Sequence, residues 1–138
     1  MNHLICAYHN YNEQEILSLY ESVGWTNYTG NPQMLRCSYA HSLNVYAAYV
    51  NGKLAGIIRV VGDGFSVVFI QDLLVFPEYQ RKGIGTALLQ KVLQEYGHVY
   101  QLHLMTENTE KTLRFYQSLG FTPAEEYGCL AFSKYHIE

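Results

Sequence analysis

The sequence has few of the features that mark metalloproteins, secreted proteins or membrane proteins. Its three cysteines are an odd set without metal-ligand spacing, and its six histidines show no H-x-x-x-H pattern that would gather them on one helix face. It has no recognisable signal peptide and no long apolar run free of charged residues. We therefore expect no metal and no membrane segment, and a reduced, soluble, cytoplasmic protein.

An excess of basic residues is also missing. Nine Lys and Arg stand against twelve Asp and Glu, so the net charge is −3, and this balance argues against a nucleic-acid partner. The apolar fraction, by contrast, is 49%, with only 15% of the 138 residues charged. This composition predicts one globular domain, residues 1–138, with enough apolar side chains to bury a core.

The most informative stretch begins with a run of β-branched and aromatic residues at 67–76, interrupted by only two polar residues and followed by a proline. Such a run predicts a central strand covered on both faces. A loop with the basic pair Arg81-Lys82 comes next, and Gly83-Ile84-Gly85 opens a helical apolar pattern. Free N–H groups at a helix start attract anions and glycines let an anion approach, so this loop is predicted to hold phosphate.

Two familiar phosphate loops do not fit the spacing of this segment. A Walker A loop needs G-x-x-x-x-G-K-[ST] and a dinucleotide fold needs G-x-G-x-x-G, and neither is present. The alternative of an ordinary glycine-containing turn leaves the basic pair unexplained. The order strand, proline, Gln80-x-x-Gly83-x-Gly85 and helix resembles the acetyl-coenzyme A motif of the GNAT superfamily of N-acetyltransferases.

A second stretch resembles the other signature of that family. Residues 108–121 predict a helix that ends in F-Y-x-x-x-G-F, with Gly120 as the helix stop and Phe121 folding back. The Ser22-Val23-Gly24-Trp25 junction and the Gln71-Asp72 pair are most similar to a branch that includes plastid-type aralkylamine acetyltransferases. The resemblance covers most of the chain in the order of the family's elements.

The remaining segments predict a mixed α+β protein. Asn51-Gly52 predicts a tight type I′ hairpin turn, and Asn12 followed by Glu15 predicts a helix start with a capping box. The crossover rule places the strand after the glycine-opened helix parallel and adjacent to the central strand. Residues 25–32 are predicted as a loop, and Met34, Leu35 and Tyr39 as the buried side of the second helix. Strands are predicted at 4–8, 45–50, 54–61, 67–76, 100–105 and 129–135, and helices after Asn12, over 33–42, from near Gly83 and from near Asn108.

The GNAT resemblance implies a mostly antiparallel sheet, splayed between strands 4 and 5, with helices on both faces. The pantetheine arm of acetyl-coenzyme A is then expected in the gap, paired with backbone groups of the central strand. Its phosphates are expected on the basic, glycine-opened loop. The residues implied in coenzyme A binding are Leu73, Leu74, Val75, Gln80, Arg81, Lys82, Gly83, Ile84, Gly85, Thr86, Asn108 and Tyr116.

The resemblance also implies acetyl transfer to a primary amine of a small molecule, by direct attack in a ternary complex. Such a reaction needs a donor to the developing oxyanion and a proton for the departing thiolate. The implied donor is the N–H of Leu74, and the implied acid is Tyr116, for which core packing is the alternative role. Asp72 is the best carboxylate for a general base, with a structural role or a water chain as alternatives.

The acceptor site is predicted from aromatic residues in the first third of the chain. Trp25 and Tyr28, in the predicted loop, are candidates for the substrate pocket, because aromatic faces suit an aryl group or a cation. For Tyr20 and Tyr39, packing between helices is supported at least as well as a role in the pocket. The second function class is a non-catalytic sensor of acyl-coenzyme A, or an interaction module, with the same fold. The acceptor amine and a possible homodimer are left open.

Overall fold

A computed structural model describes residues 2–136 and contains a five-stranded sheet in the order β1-β2-β3-β4-β5. The first four strands pair antiparallel with their neighbours, and β5 pairs parallel with β4. This topology confirms the predicted mixed α+β fold. The strands are β1 Leu4–Ala7, β2 Asn44–Val50, β3 Lys53–Gly62, β4 Val67–Val75 and β5 Gln101–Leu104; the helices are α1 Glu13–Ser22, α2 Thr26–Thr29, α3 Pro32–Ala40, α4 Ile84–Tyr96 and α5 Glu110–Ser118.

The chain divides into two compact units, one up to Met105 and one from Thr106 onwards. The first unit holds the sheet and helices α1 to α4, and the second holds α5. That residues 1–138 form one domain stays a prediction. Every helix within residues 2–136 is too short or too polar to cross a bilayer. Over the same residues, no group of three or more His, Cys, Asp or Glu side chains is arranged to hold a metal ion.

Helices cover both faces of the sheet in the first unit. Ala47 and Ile57 are cross-strand partners and belong to a core cluster with buried residues of α1 and α3. Their chain neighbours Tyr46 and Ile58 point to the other face, because side chains alternate along a strand. On that face Lys91 of α4 lies 5.6 Å from the centre of the Tyr46 ring. The sheet is therefore sandwiched between α1 and α3 on one side and α4 on the other.

Local signals account for the positions of the turns and helix starts. Asn51 and Gly52 both have positive φ, 51° and 78°, which confirms the predicted hairpin turn. Asn12 caps α1 by accepting a hydrogen bond from the Glu15 N–H at 3.0 Å, as predicted. The return half of the capping box is replaced by Tyr8, whose hydroxyl accepts from the Asn12 N–H and donates to the Glu15 carboxylate.

Two predictions about the first unit need correction. Residues 26–29, predicted as loop, form the short helix α2. Met34 is 42% exposed, whereas Leu35 and Tyr39 are buried as predicted, because the buried face of α3 follows the four-residue spacing from Leu35. The helix predicted to be capped near Asn108 is confirmed: the N-cap of α5 is the next residue, Thr109, whose hydroxyl accepts from the Thr112 N–H at 3.2 Å.

The predicted closing strand at 129–135 is also wrong. None of these residues lies in a strand, and the side chains of Leu130 and Phe132 are 74% and 91% exposed. Alternating apolar residues show that one face of a segment is suited to burial. They do not supply the partner strand whose N–H and C=O groups complete a ladder.

Candidate active site

The sheet opens at the middle of β4. Pairing between β4 and β5 runs only from Val67 to Ile70, whereas pairing between β4 and β3 continues to Val75. Residues 71–75 therefore have β3 on one side and no β5 partner on the other, which is the predicted splay between strands 4 and 5. An open strand edge of this kind presents backbone donors and acceptors to a ligand.

Backbone alternation along β4 decides which residues face the open edge. The N–H of Phe76 donates to the carbonyl of Ala55 in β3, at 2.9 Å. Successive residues of a strand direct their N–H and C=O groups to opposite sides. The N–H and C=O groups of Leu74, two residues before Phe76, therefore also point toward β3. Leu73 and Val75 point toward the open edge. The N–H of Leu74, predicted as the oxyanion donor, is thus turned away from the gap, and the N–H of Leu73 is turned toward it.

A β-bulge at Gln71 marks the point where β5 leaves. In the β3–β4 register Val60 pairs with Ile70 and Arg59 pairs with Asp72, which leaves Gln71 without a counterpart. Residues two apart in a regular strand face the same side, but the extra residue Gln71 shifts the alternation by one. Ile70 therefore faces α4, whereas Asp72 faces α1 and α3 together with its partner Arg59. The bulge therefore places the Asp72 side chain on the same face of the sheet as Arg59 and Tyr20.

The predicted phosphate loop connects β4 to the start of α4. The side-chain amide of Gln80 donates to the carbonyl of Val75 at 3.0 Å, so Gln80 holds the loop against the strand end. Arg81 and Gly83 both have positive φ, 63° and 82°. For Arg81 this conformation is strained, and such strain is concentrated at functional sites.

The first turn of α4 has unused hydrogen-bond donors. Gly83 occupies the N-cap position without any side-chain cap, and the first N–H that bonds within the helix is that of Ala87, to the Gly83 carbonyl. The preceding N–H groups of the turn are left for solvent or a ligand. Arg81 and Lys82 are exposed and form no ion pair with residues 2–136. The loop thus combines free donors with two uncompensated positive charges, as an anion site requires.

Asp72 belongs to a buried polar network. One of its carboxylate oxygens, Oδ2, accepts from Arg59 Nε at 2.7 Å and from the Tyr20 hydroxyl at 2.8 Å. Asp72 is 1% exposed and Arg59 5%. Burial is the largest single influence on the pKa of Arg59 and lowers it, but the charge and hydrogen bond of Asp72, together with Tyr20 and Tyr39, outweigh burial, and the net shift is upward. Arg59 is therefore held charged beside the buried carboxylate, an arrangement that favours the structural alternative for Asp72 over the general base.

Tyrosine hydroxyls extend this network to both helices on that face. The hydroxyls of Tyr20 in α1 and Tyr39 in α3 are 3.0 Å apart, and the guanidinium of Arg59 lies 5.6 Å from the centre of the Tyr39 ring. Both tyrosines are buried, so their helix-packing role is confirmed. Burial also raises the pKa of each hydroxyl well above its usual value, which keeps both groups protonated. The Oδ1 atom of Asp72 has no hydrogen-bond partner among residues 2–136.

The two predicted pocket residues lie together beside the bulge. The ring centres of Trp25 and Tyr28 are 6.3 Å apart. The ring centre of Tyr20 lies 6.1 Å from that of Trp25 and 5.2 Å from that of Tyr28. The side-chain amide of Gln71 donates to the Tyr28 hydroxyl at 3.3 Å. Trp25 is 38% exposed and Tyr28 is half-buried, so both can be reached by a ligand. We call Tyr20, Trp25 and Tyr28 the aromatic cluster.

Tyr116 and Asn108 belong to the second unit. Tyr116 lies in the last turn of α5, which ends as predicted: Gly120 has φ 93°, and the N–H of Phe121 returns to the Tyr116 carbonyl at 3.1 Å. Burial raises the pKa of Tyr116, and a hydrogen bond with the Thr106 side chain partly offsets the rise. Asn108 is exposed and precedes the cap. The coenzyme A and catalytic roles of these two residues stay predictions.

The sequence and the fold both match known proteins. The acetyltransferase (GNAT) domain family matches residues 41–123, more than half of the chain. This chain belongs to the GNAT acetyltransferase family. A solved structure of a GNAT family acetyltransferase from Streptococcus pneumoniae is 41% identical, with a TM-score of 0.88 over 99% of this chain and 100% of that one.

Curated relatives match over shorter segments. The peptidyl-lysine N-acetyltransferase of Escherichia coli is 30% identical over 88 residues, 64% of this chain and 56% of that protein. The chloroplastic GCN5-related N-acetyltransferase 2 of Arabidopsis thaliana is 35% identical over 71 residues, 50% of this chain and 27% of that protein. The matched segment thus spans about a quarter to a half of these GNAT relatives, and closer membership in a plastid-type branch stays a prediction.

Two features of this GNAT site were missed at the sequence level. Arg59 is the lone charged residue in the apolar run Leu54–Val61, and a charge inside such a run indicates a buried partner. The sequence therefore contains a signal for the buried pair of Arg59 and Asp72. The bulge at Gln71 left no comparable signal, because a single extra residue in a strand does not change its composition.

Proposed function

We propose that this protein transfers the acetyl group of acetyl-coenzyme A to a primary amine of a small molecule, by direct attack in a ternary complex. The observation that carries the proposal is the continuity between the open edge of β4 and the phosphate loop. The strand edge at Leu73 and Val75 leads through Gln80 directly to the bare helix start at Gly83. An extended thiol arm with phosphates at one end matches that order of backbone groups and positive charge.

We also propose which groups of this chain carry out the reaction. The N–H of Leu73, which points toward the open edge, is our candidate donor to the oxyanion that forms when the amine attacks the thioester carbonyl. The amine must attack in its neutral form. The Asp72 carboxylate is buried, and its Oδ2 atom accepts from Arg59 and Tyr20. We therefore propose that water, rather than Asp72, takes the amine proton. Tyr116 is our candidate to return a proton to the thiolate.

The reaction itself is tested by turnover. The protein, acetyl-coenzyme A and a panel of primary amines are incubated together, and release of free thiol is followed. Thiol release that depends on one class of amine supports the proposal. Binding of acetyl-coenzyme A without thiol release from any amine would identify the protein as a sensor of acyl-coenzyme A instead.

Substitution of Gly83 with Glu tests the phosphate loop. A carboxylate at the N-cap adds negative charge beside the site, so acetyl-coenzyme A should no longer raise the melting temperature, whereas it should raise that of the parent. The measurement is thermal unfolding with and without ligand. Nothing lies within 4 Å of the position of an added Cβ, so the new side chain meets no neighbouring atom, and the cost to the fold is limited to the strain of a left-handed backbone at a residue with a Cβ.

The matched control is Gly83→Asn, because Asn tolerates the left-handed backbone at this position without adding charge. This variant should keep most of the ligand-induced shift. A folded Gly83→Glu protein that is stabilised by acetyl-coenzyme A as strongly as the parent would remove this loop from the binding site.

Replacement of Trp25 with Ala tests the acceptor pocket. The ring is more than one-third exposed and contacts Tyr28, so its loss should raise the acceptor KM or change the amine preference. The affinity for acetyl-coenzyme A, measured by calorimetry, should be nearly unaffected. A loss of stability on the order of 3–5 kcal/mol would instead identify Trp25 as a core residue.

A further inference from the structure

Two adjacent residues of β4 hold the aromatic cluster in place. Gln71, the bulge residue, donates to the Tyr28 hydroxyl, and Asp72, the next residue, accepts from the Tyr20 hydroxyl. These two bonds join the bulge to different members of the cluster. They lie within two residues of Leu73, whose N–H faces the open edge of the sheet.

We infer that the Tyr20 hydroxyl is a positioning group for the acceptor amine, an inference that rests on the proposed function. Tyr20 is fully buried and cannot itself touch a substrate. Its ring contacts Trp25 and Tyr28, the exposed and half-buried members of the cluster, and its hydroxyl is bonded to Asp72. Tyr20 therefore sets the distance between the acceptor surface and the backbone of β4.

The hydroxyl has this role separately from the ring. The ion pair between Arg59 and Asp72 neutralises both charges without help from Tyr20. The Tyr20 ring would keep its contacts with the cluster in a Phe variant. Only the bonds from α1 to Asp72 and to Tyr39 depend on the oxygen atom. Loss of these bonds frees α1 to shift relative to β4, and misplacement of a reactant by 1 Å can cost about a hundredfold in rate.

The kinetic test is Tyr20→Phe with the acceptor identified in the amine panel. We expect kcat/KM for the amine to fall about tenfold or more, with the Kd for acetyl-coenzyme A unchanged. The matched control is Tyr46→Phe, because that hydroxyl lies on the α4 face and accepts from Asn44. A Tyr20→Phe protein with a lower melting temperature and parental kcat/KM for the amine would overturn the inference.

A second readout does not depend on catalysis. Trp25 is the single tryptophan of the chain, so its fluorescence reports on the cluster alone. In folded Tyr20→Phe, acrylamide should quench Trp25 more strongly than in the parent or in Tyr46→Phe. Unchanged quenching would refute a positioning role even if no amine is acetylated. Failure of the amine panel, in contrast, would refute the proposed function and leave this measurement valid.

Discussion

Replacement of Asp72 with alanine should lower the free energy of unfolding by about 3–5 kcal/mol, the usual cost of breaking a buried ion pair by removing one partner. The physical reason is Arg59, which is 5% exposed and would keep its charge without a counterion. The Tyr20 hydroxyl would lose its acceptor at the same time. Urea unfolding monitored by circular dichroism gives the value, provided that the denaturant dependence is the same in both proteins.

Two further variants separate the buried charge from the rest of the change. The double variant Asp72→Leu with Arg59→Met removes both charges and should recover much of the lost stability, because apolar replacement of a buried pair is often neutral. Glu110→Ala breaks the ion pair with Arg114, whose side chains are 74% and 73% exposed, and should cost less than about 1 kcal/mol. A similarly small cost for Asp72→Ala would show that Arg59 does not need this partner.

The Tyr116→Phe variant should show a fall in kcat of about a hundredfold or more, if protonation of the departing thiolate limits the rate. The substitution removes only the hydroxyl, and the ring keeps its edge contact with Phe121, at 5.9 Å. Burial raises the pKa of Tyr116 above its usual value near 10, so the phenol stays protonated at every pH from 6 to 9. Initial rates across this range are the measurement, and calorimetry should show unchanged affinity for acetyl-coenzyme A.

The pH profile adds a check on this assignment. Because Tyr116 does not titrate below pH 9, any rising limb of kcat/KM in that range belongs to another group, such as the acceptor amine, and should persist at a lower rate in Tyr116→Phe. Tyr127→Phe, an exposed tyrosine of the same unit, is the matched control and should leave kcat unchanged. Parental turnover by folded Tyr116→Phe would mean that the ring only packs and that water supplies the proton.

From β1 to α5 the sequence was sufficient for the order of the elements, apart from the short helix α2, and for the glycine-opened start of α4. Each of these features follows from local chemistry. The ring of Pro77 ends the strand, Gly83 allows the positive φ before α4, and the apolar periodicity of residues 84–96 predicts the helix. The same holds for the turn at Asn51-Gly52. Local rules of this kind need no knowledge of what lies across the fold.

Features that depend on a partner elsewhere in the chain were not predictable to the same degree. The N–H groups of Leu74 and Leu73 point to opposite sides of β4 because of strand register, and register is set by pairing with β3. Asp72 was recognised as a notable carboxylate, but its ion pair with Arg59 spans two strands. The segment 129–135 has the periodicity of a strand and is not one, because periodicity does not show whether a partner exists.

The bulge at Gln71 makes the length of β4 as important as its composition. Deleting one residue there would restore an even alternation, and every side chain from Asp72 to Val75 would exchange faces. The Asp72 carboxylate would then face the buried apolar residues of α4, and Arg59 would lie beside the Tyr39 ring without its counterion. The amino acids of this strand can therefore vary more freely than their number, and relatives with a gap at position 71 should lack the buried pair of Arg59 and Asp72 and the contacts that hold the proposed acceptor pocket.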